Sequence, residues 1–84
     1  MRQAITTRFA GPTNSTGSRV IVRSQAKWMS VHWDDALDVE DNHSAAAAAM
    51  AERLGWKGHW RGGALPDGSG YAWVDISGEG FEVK

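Results

Sequence analysis

Three histidines are the residues of this chain that could bind a metal ion. His32, His43 and His59 lie far apart, and none stands three or four residues from another histidine, the spacing that places two ligands on one helix face. The chain contains no cysteine, which excludes both a thiolate metal site and a disulfide framework. The sequence therefore predicts neither a metal site nor a cofactor.

Neighbouring carboxylates can act as a general acid and a general base, and this chain has such a group before its predicted helix. Asp34 and Asp35 follow a predicted strand, and Asp38 immediately precedes the helix, so that capping and solvation explain all three. No serine lies in a recognisable nucleophile motif, and there is no cysteine to take its place. We predict that the protein is not an enzyme.

The segment 11–19 has the composition of an anion-binding loop, because it joins glycine, threonine, asparagine and serine to Arg19. It lacks the spacing, the lysine and the following helix of a Walker A loop, and it does not match a dinucleotide-binding fingerprint. An ordinary turn with side-chain capping is the simpler interpretation. The glycines of 62–70 are likewise interpreted as hairpin geometry, so neither loop indicates nucleotide hydrolysis.

Charge is divided unevenly along the chain, although the formal net charge is only −1. Residues 1–33 contain five cations and no acid, whereas all ten acids follow, six of them within 34–52. Two segments of opposite charge are typical of a protein that acts by contact with a charged partner.

Hydrophobic alternation and capping signals predict the element order βββαββ. Strands are expected over 2–9, 19–24, 28–33, 57–64 and 71–76. Asp38 is a suitable N-cap and Gly55 a suitable C-cap for a helix over about 39–54. The predicted fold class is α+β, with a mostly antiparallel sheet of about five strands and a single helix packed on one face.

The length of 84 residues indicates a single domain, whose five tryptophans are expected to enlarge a small core. Its predicted parts are a basic three-stranded part at 1–33, the helix region 38–55, a hairpin at 57–76 and a loosely held tail at 77–84. Phe81 and Val83 in that tail are an alternative short edge strand.

One helix covers only one face of such a sheet, so the other face must meet solvent or a partner. If Ile5, Val20, Val22, Val31 and Val74 face the helix, the opposite face is both basic and aromatic. It then carries Arg8, Arg19, Arg23, Trp28, His32, Tyr71 and Trp73. Cations beside aromatic rings bind single-stranded nucleic acid. The alternative is that the rings belong to the core, since a shift of one residue reverses a strand's faces.

A second candidate surface is the acidic patch around the start of the helix. It consists of Asp34, Asp35, Asp38, Glu40 and Asp41. Such a cluster could mimic nucleic acid in a basic channel of another protein, while the simpler explanation is the attraction of acids to the positive end of the helix dipole. The basic sheet and this patch could also pair with each other in a homo-oligomer.

Several short strings occur in a fixed order along the chain: MRQAI, GPTN, GSR, WDDAL, NHSAAAAA, LGW, HWRGG and PDGSGYAWV. Over 1–74 this pattern resembles a family of small uncharacterised proteins carried by bacterial genomes, phages and plasmids. The resemblance implies a mobile-element protein that binds host machinery. Inhibitors of bacterial defence, including anti-CRISPR proteins, are one class of this size. It implies no catalytic residues.

We therefore predict a non-enzymatic binding protein that engages a host protein or nucleoprotein complex. The alternative is a single-stranded nucleic-acid-binding module that uses the basic, aromatic sheet face. The chain shows neither a signal-peptide pattern nor an apolar stretch of the roughly 20 residues that span a bilayer. A cytoplasmic protein without a membrane partner is therefore expected.

Overall fold

The computed structural model describes residues 2–83 of the chain. In this structure, strands with alternating buried and exposed side chains form an antiparallel sheet. The elements are β1 (Ile5–Ala10), β2 (Arg19–Arg23), β3 (Trp28–His32), α1 (Val39–Leu54), β4 (Trp60–Ala64) and β5 (Tyr71–Asp75). All five strands join one sheet in the order β3-β2-β1-β5-β4, with every neighbouring pair antiparallel. The predicted α+β class and βββαββ order are confirmed.

The hydrophobic core lies between α1 and the middle of the sheet. Alternate residues of β1 and β2 point at the helix, which packs chiefly on these two strands. The buried apolar side chains are Ile5, Val20, Val22, Ala46, Ala47, Met50 and Ala51. Complete burial of a large aliphatic side chain contributes about 1.5–3 kcal/mol. The alanines of α1 let its backbone approach the sheet closely.

Four of the five tryptophans pack against this core, and one does not. Trp33, Trp56, Trp60 and Trp73 are partly buried around it, as expected for a small domain that needs large apolar side chains. Trp28 is 68% exposed. Its side chain is therefore open to solvent on the surface of the sheet.

Helix α1 begins and ends where its capping residues predict. The side chain of Asp38 accepts a hydrogen bond of 2.8 Å from the backbone N–H of Asp41, and Gly55 closes the helix with φ of 72°. The preceding loop is held by Asn42, a buried residue whose side chain bonds the backbone N–H and C=O of Asp34 at 2.9 Å each. Asn42 thereby fixes the direction in which the chain enters the helix.

The side chains of strand β5 lie on the opposite faces of the sheet from those predicted. Tyr71 pairs with Thr7 and Trp73 pairs with Ile5, and residues that pair across an antiparallel ladder share a face. Tyr71 and Trp73 therefore lie on the helix side, and Val74 is 45% exposed on the other side. The predictions that Val74 faces the helix and that both rings face away from it are wrong.

Two glycines explain why the rings of β5 fit on the helix side. A Cβ on Gly62 would overlap the indole of Trp73, so the ring lies where a side chain of β4 would otherwise stand. A Cβ on Gly70 would overlap the backbone carbonyl oxygen of Thr7. These glycines weaken the strand propensity of the hairpin. They are nevertheless required, because neighbouring atoms approach too closely to leave room for a side chain.

The part of the tail that is described, 77–83, forms no helix or strand, so the alternative edge strand at Phe81 and Val83 is absent. Their side chains are 94% and 83% exposed. Met1 and Lys84, the outer ends of the predicted basic part and tail, lie outside the described residues. Within 2–83, no helix is long and apolar enough to cross a membrane.

Replacement of Gly70 tests the close contact between β1 and the start of β5. We expect Gly70→Ala to lower the free energy of unfolding by about 1–3 kcal/mol, because its methyl group meets backbone that must shift. Gly63→Ala, whose methyl group meets no atom within 4 Å, should change it by no more than about 0.5 kcal/mol. Urea unfolding of both variants measures this, and equal stabilities would contradict the described contact.

Candidate binding surfaces

The face of the sheet opposite α1 is uncovered and basic. Strand alternation and pairing place five of the seven predicted residues on it: Arg8, Arg19, Arg23, Trp28 and His32. Arg61 of β4, which the sequence analysis missed, joins them, because it pairs with the exposed Val74. Among the described strand residues of this open face there is no carboxylate. The charged strand residues of this face are therefore all cations, and the carboxylate that interacts with Arg8, Asp67, lies in the loop between β4 and β5.

Arg8 and Arg23 form the centre of the open face. Both line a hollow of about 90 Å³ that Thr6 and Ile21 also line. Arg23 pairs directly with Trp28 across β2 and β3, and the Cβ atoms of such partners stand about 4.5–5.5 Å apart. Two guanidinium groups and one exposed indole are thus neighbours on a single surface. This arrangement suits a ligand that carries both negative charge and a flat ring.

Arg19 shares this face but is already engaged. Its Nη1 donates to the hydroxyl of Thr16 at 3.2 Å and to the carbonyl oxygen of Gly11 at 3.3 Å. The hydroxyl of Thr13 accepts the backbone N–H of Thr16 at 3.1 Å. The loop between β1 and β2 is therefore organised by its own side chains, in agreement with the interpretation as a capped turn. Arg19 holds this loop, which leaves the open face to Arg8, Arg23 and Arg61.

The arginines of the open face are free of ion pairs in the described part of the chain. There, a single ion pair is formed, between Arg2 Nη1 and Asp75 Oδ2 at 3.4 Å. The pKa of Asp75 lies below its ordinary value chiefly because Ser77 donates hydrogen bonds to it, with a smaller contribution from the charge of Arg2. Arg23 and Arg61 keep their charge available for a partner, whereas the charge of Arg8 also acts on Asp67, whose pKa is lowered chiefly by hydrogen bonds from Ser69 and to a smaller extent by Arg8.

Tyr71 and Trp73 belong instead to a buried polar cluster centred on Thr7. The Thr7 hydroxyl accepts a hydrogen bond of 2.9 Å from Trp73 Nε1 and lies 2.7 Å from His43 Nδ1. The hydroxyl can accept from Trp73 and either donate to His43 Nδ1 or accept from it, so both bonds form with either tautomer of the imidazole. The ring of Tyr71 lies 4.7 Å from that of His43. These rings therefore organise the interior and leave Trp28 as the aromatic residue of the open face.

The acidic patch divides into residues with local roles and residues that remain free. Asp38 caps α1, and Asp34 Oδ1 accepts the backbone N–H of Ala36 at 3.0 Å. Asp35 is exposed. Glu40 and Asp41, in the first turn of α1, line a groove between the helix and the β4–β5 hairpin. The predicted patch is thus not one uniform surface.

The three histidines do not come together. His43 is buried against Thr7, whereas His32 lies on the open face on the other side of the sheet. Within 2–83, no group of three histidine, cysteine, aspartate or glutamate side chains is placed to hold a metal ion.

None of the known family models matches the chain. Comparisons with curated proteins and with solved structures find no significant similarity either. The resemblance to small phage and plasmid proteins thus stays a prediction, and the interpretation of the two surfaces depends on their geometry and charge.

Burial of His43 makes stability depend on pH. Burial lowers the pKa of His43 below its ordinary value of 6.5, so the unfolded chain binds a proton more readily than the folded one. The stabilisation is fully present above about pH 6.5 and is lost progressively as the pH falls through the lowered pKa. We expect urea unfolding to show this loss in the wild type.

The matched variants are His43→Gln and His59→Gln. The first should lack the decline just below about pH 6.5, and the second should keep it, since His59 is exposed. An unchanged pH profile in His43→Gln would contradict the assignment of this titration to the buried ring.

Proposed function

We propose that this protein is a non-enzymatic binding module whose open sheet face contacts the nucleic acid of a host nucleoprotein complex. One observation carries the proposal: Arg8 and Arg23 line a single hollow, and Arg23 pairs across the sheet with the exposed Trp28. No carboxylate occupies the described strand positions of that face. This combination favours an anionic partner with accessible bases over an apolar or basic protein surface.

Each component has a definite role in such contact. A guanidinium group can donate two parallel hydrogen bonds to a phosphate, which gives Arg8 and Arg23 both charge and direction. A base stacked on an exposed indole gains about 1–3 kcal/mol, and the stacking is tolerant of sequence. Since the open face offers one ring rather than the predicted three, phosphate contacts supply most of the affinity. Binding should therefore be independent of sequence and strongly dependent on salt.

The acidic patch gives weaker support to the alternative of nucleic-acid mimicry. Asp34 and Asp38 are held by the loop and the helix start that they stabilise. Their positions follow from local folding, so they require no partner to explain them.

The resemblance to phage and plasmid proteins supplies the biological setting of the proposal. A cytoplasmic mobile-element protein of this kind would meet nucleoprotein complexes of bacterial defence, and anti-CRISPR activity is the specific form we propose. The direct contact with nucleic acid can be tested without knowledge of that complex.

Fluorescence anisotropy with a labelled, mixed-sequence single-stranded oligonucleotide tests the open face. We expect the affinity to fall steeply as salt rises, and Arg23→Gln to weaken binding by about tenfold and to reduce the salt dependence by about one phosphate contact. Lys57→Gln removes the same charge away from this face and should have a much smaller effect.

Trp28→Ala separates stacking from phosphate contact. It should weaken binding to the single strand while leaving the salt dependence unchanged, because the ring does not neutralise a phosphate. Absence of binding at low salt, or equal losses in Arg23→Gln and Lys57→Gln, would rule out the open face as a nucleic-acid surface.

A further inference from the structure

We propose that the groove between α1 and the β4–β5 hairpin binds an extended basic peptide of a partner protein, with an arginine or lysine side chain held between carboxylates and indole rings. This groove lies on the helix side of the sheet, so the inference is independent of the nucleic-acid contact proposed for the open face.

The groove exists because α1 packs chiefly on β1 and β2 and meets β4 and β5 mainly through their aromatic side chains. Its main part has a volume of about 610 Å³, with Glu40, Asp41 and Ser44 on the helix wall and Trp60 and Trp73 on the sheet wall. Trp60 and Trp73 also line a smaller hollow of about 90 Å³ beside the alanines of α1, and Tyr71 also lines a separate hollow of about 360 Å³.

The walls of the groove select a cation. Glu40 and Asp41 are exposed, and within 2–83 neither carboxylate forms an ion pair. The indole of Trp73 is held in place over Gly62 and lines the opposite wall together with Trp60. Tryptophan is the aromatic side chain that attracts a positive charge most strongly. Arg61 also borders the groove, but its pairing with Val74 places its side chain on the open face. A guanidinium or ammonium group in the groove would thus meet negative charge on one side and aromatic rings on the other.

The position of β4 gives the reason to choose a peptide. β4 is an edge strand of the sheet, next to the groove, and an edge strand presents backbone N–H and C=O groups to an incoming chain. Peptides that add to a sheet edge gain affinity from such backbone bonds and specificity from side-chain pockets. Here the side-chain pocket is the acidic and aromatic groove.

The test uses the whole protein and a short blocked peptide in which one arginine is flanked by serine and valine, compared with the same peptide carrying glutamine for arginine. Two-dimensional NMR of the indole N–H groups follows the titration. We expect the arginine peptide to shift the signals of Trp60 and Trp73 and to leave that of Trp28 in place, and the glutamine peptide to bind at least about tenfold more weakly.

Matched variants locate the contact. Glu40→Lys should weaken peptide binding by about tenfold, whereas Glu52→Lys, the same change outside the groove on α1, should not. Ser44→Phe should block the groove, and Ala45→Phe, exposed on the same helix but outside the groove, should bind as the wild type does. The amide spectrum of each variant verifies that it is folded.

Several results would overturn the proposal. Equal binding of the two peptides, or an unchanged affinity in Glu40→Lys, would remove the cation site. Free arginine that binds as tightly as the peptide would exclude the extended chain. Sedimentation that shows a dimer lost in Glu40→Lys would assign the groove to a second copy of this chain. Oligonucleotide binding remains a separate measurement, since Trp28 and Arg23 lie on the other face.

Discussion

The hydroxyl of Thr7 determines on which face of the sheet the aromatic side chains of strand β5 lie. This one buried group satisfies Trp73 Nε1 at 2.9 Å and His43 Nδ1 at 2.7 Å, and so joins the first strand, the helix and the last strand. A buried polar group that loses its partner costs about 1–3 kcal/mol. A slip of β5 by one residue would break the bond to Trp73 and move that ring to the other face of the sheet. The same hydroxyl therefore decides which surfaces the protein presents.

Two unlike surfaces result from this choice. With Tyr71 and Trp73 on the helix side, the open face keeps Arg8, Arg23 and Arg61 with Trp28 as its exposed ring. The helix side gains a groove in which aromatic rings stand opposite Glu40 and Asp41. The opposed charges of the sequence are thus separated across the sheet. A partner that displays both a nucleic-acid strand and a basic peptide matches this division, and a nucleoprotein complex has that composition.

Local signals in the sequence were sufficient to predict the helix and the strands. They were not sufficient to predict which side chains of β5 lie on the helix side of the sheet. Asp38 and Gly55 marked the ends of α1, and the alternation of Ile5 and Thr7 marked the inner side of β1, because caps and periodicity act within a few residues. In β5, one side offers tyrosine and tryptophan and the other offers alanine and valine, so hydrophobicity alone favours neither. The choice depends on Gly62 and Thr7, which meet β5 only in the folded chain. The engagement of Arg19 by its loop and the free state of Glu40 and Asp41 are likewise tertiary facts, and no spacing in the sequence encodes them.

The most direct test of the account is an NMR measurement of where the Trp73 indole N–H lies in the free protein. The account predicts nuclear Overhauser contacts from this proton to the methyl group of Thr7 and to the ring of His43, together with slow exchange with solvent, since the proton is bonded to the Thr7 hydroxyl. Rapid exchange, with contacts to Thr6 or Ala72 on the open face instead, would show that β5 faces the other way and would contradict both surfaces described for this protein.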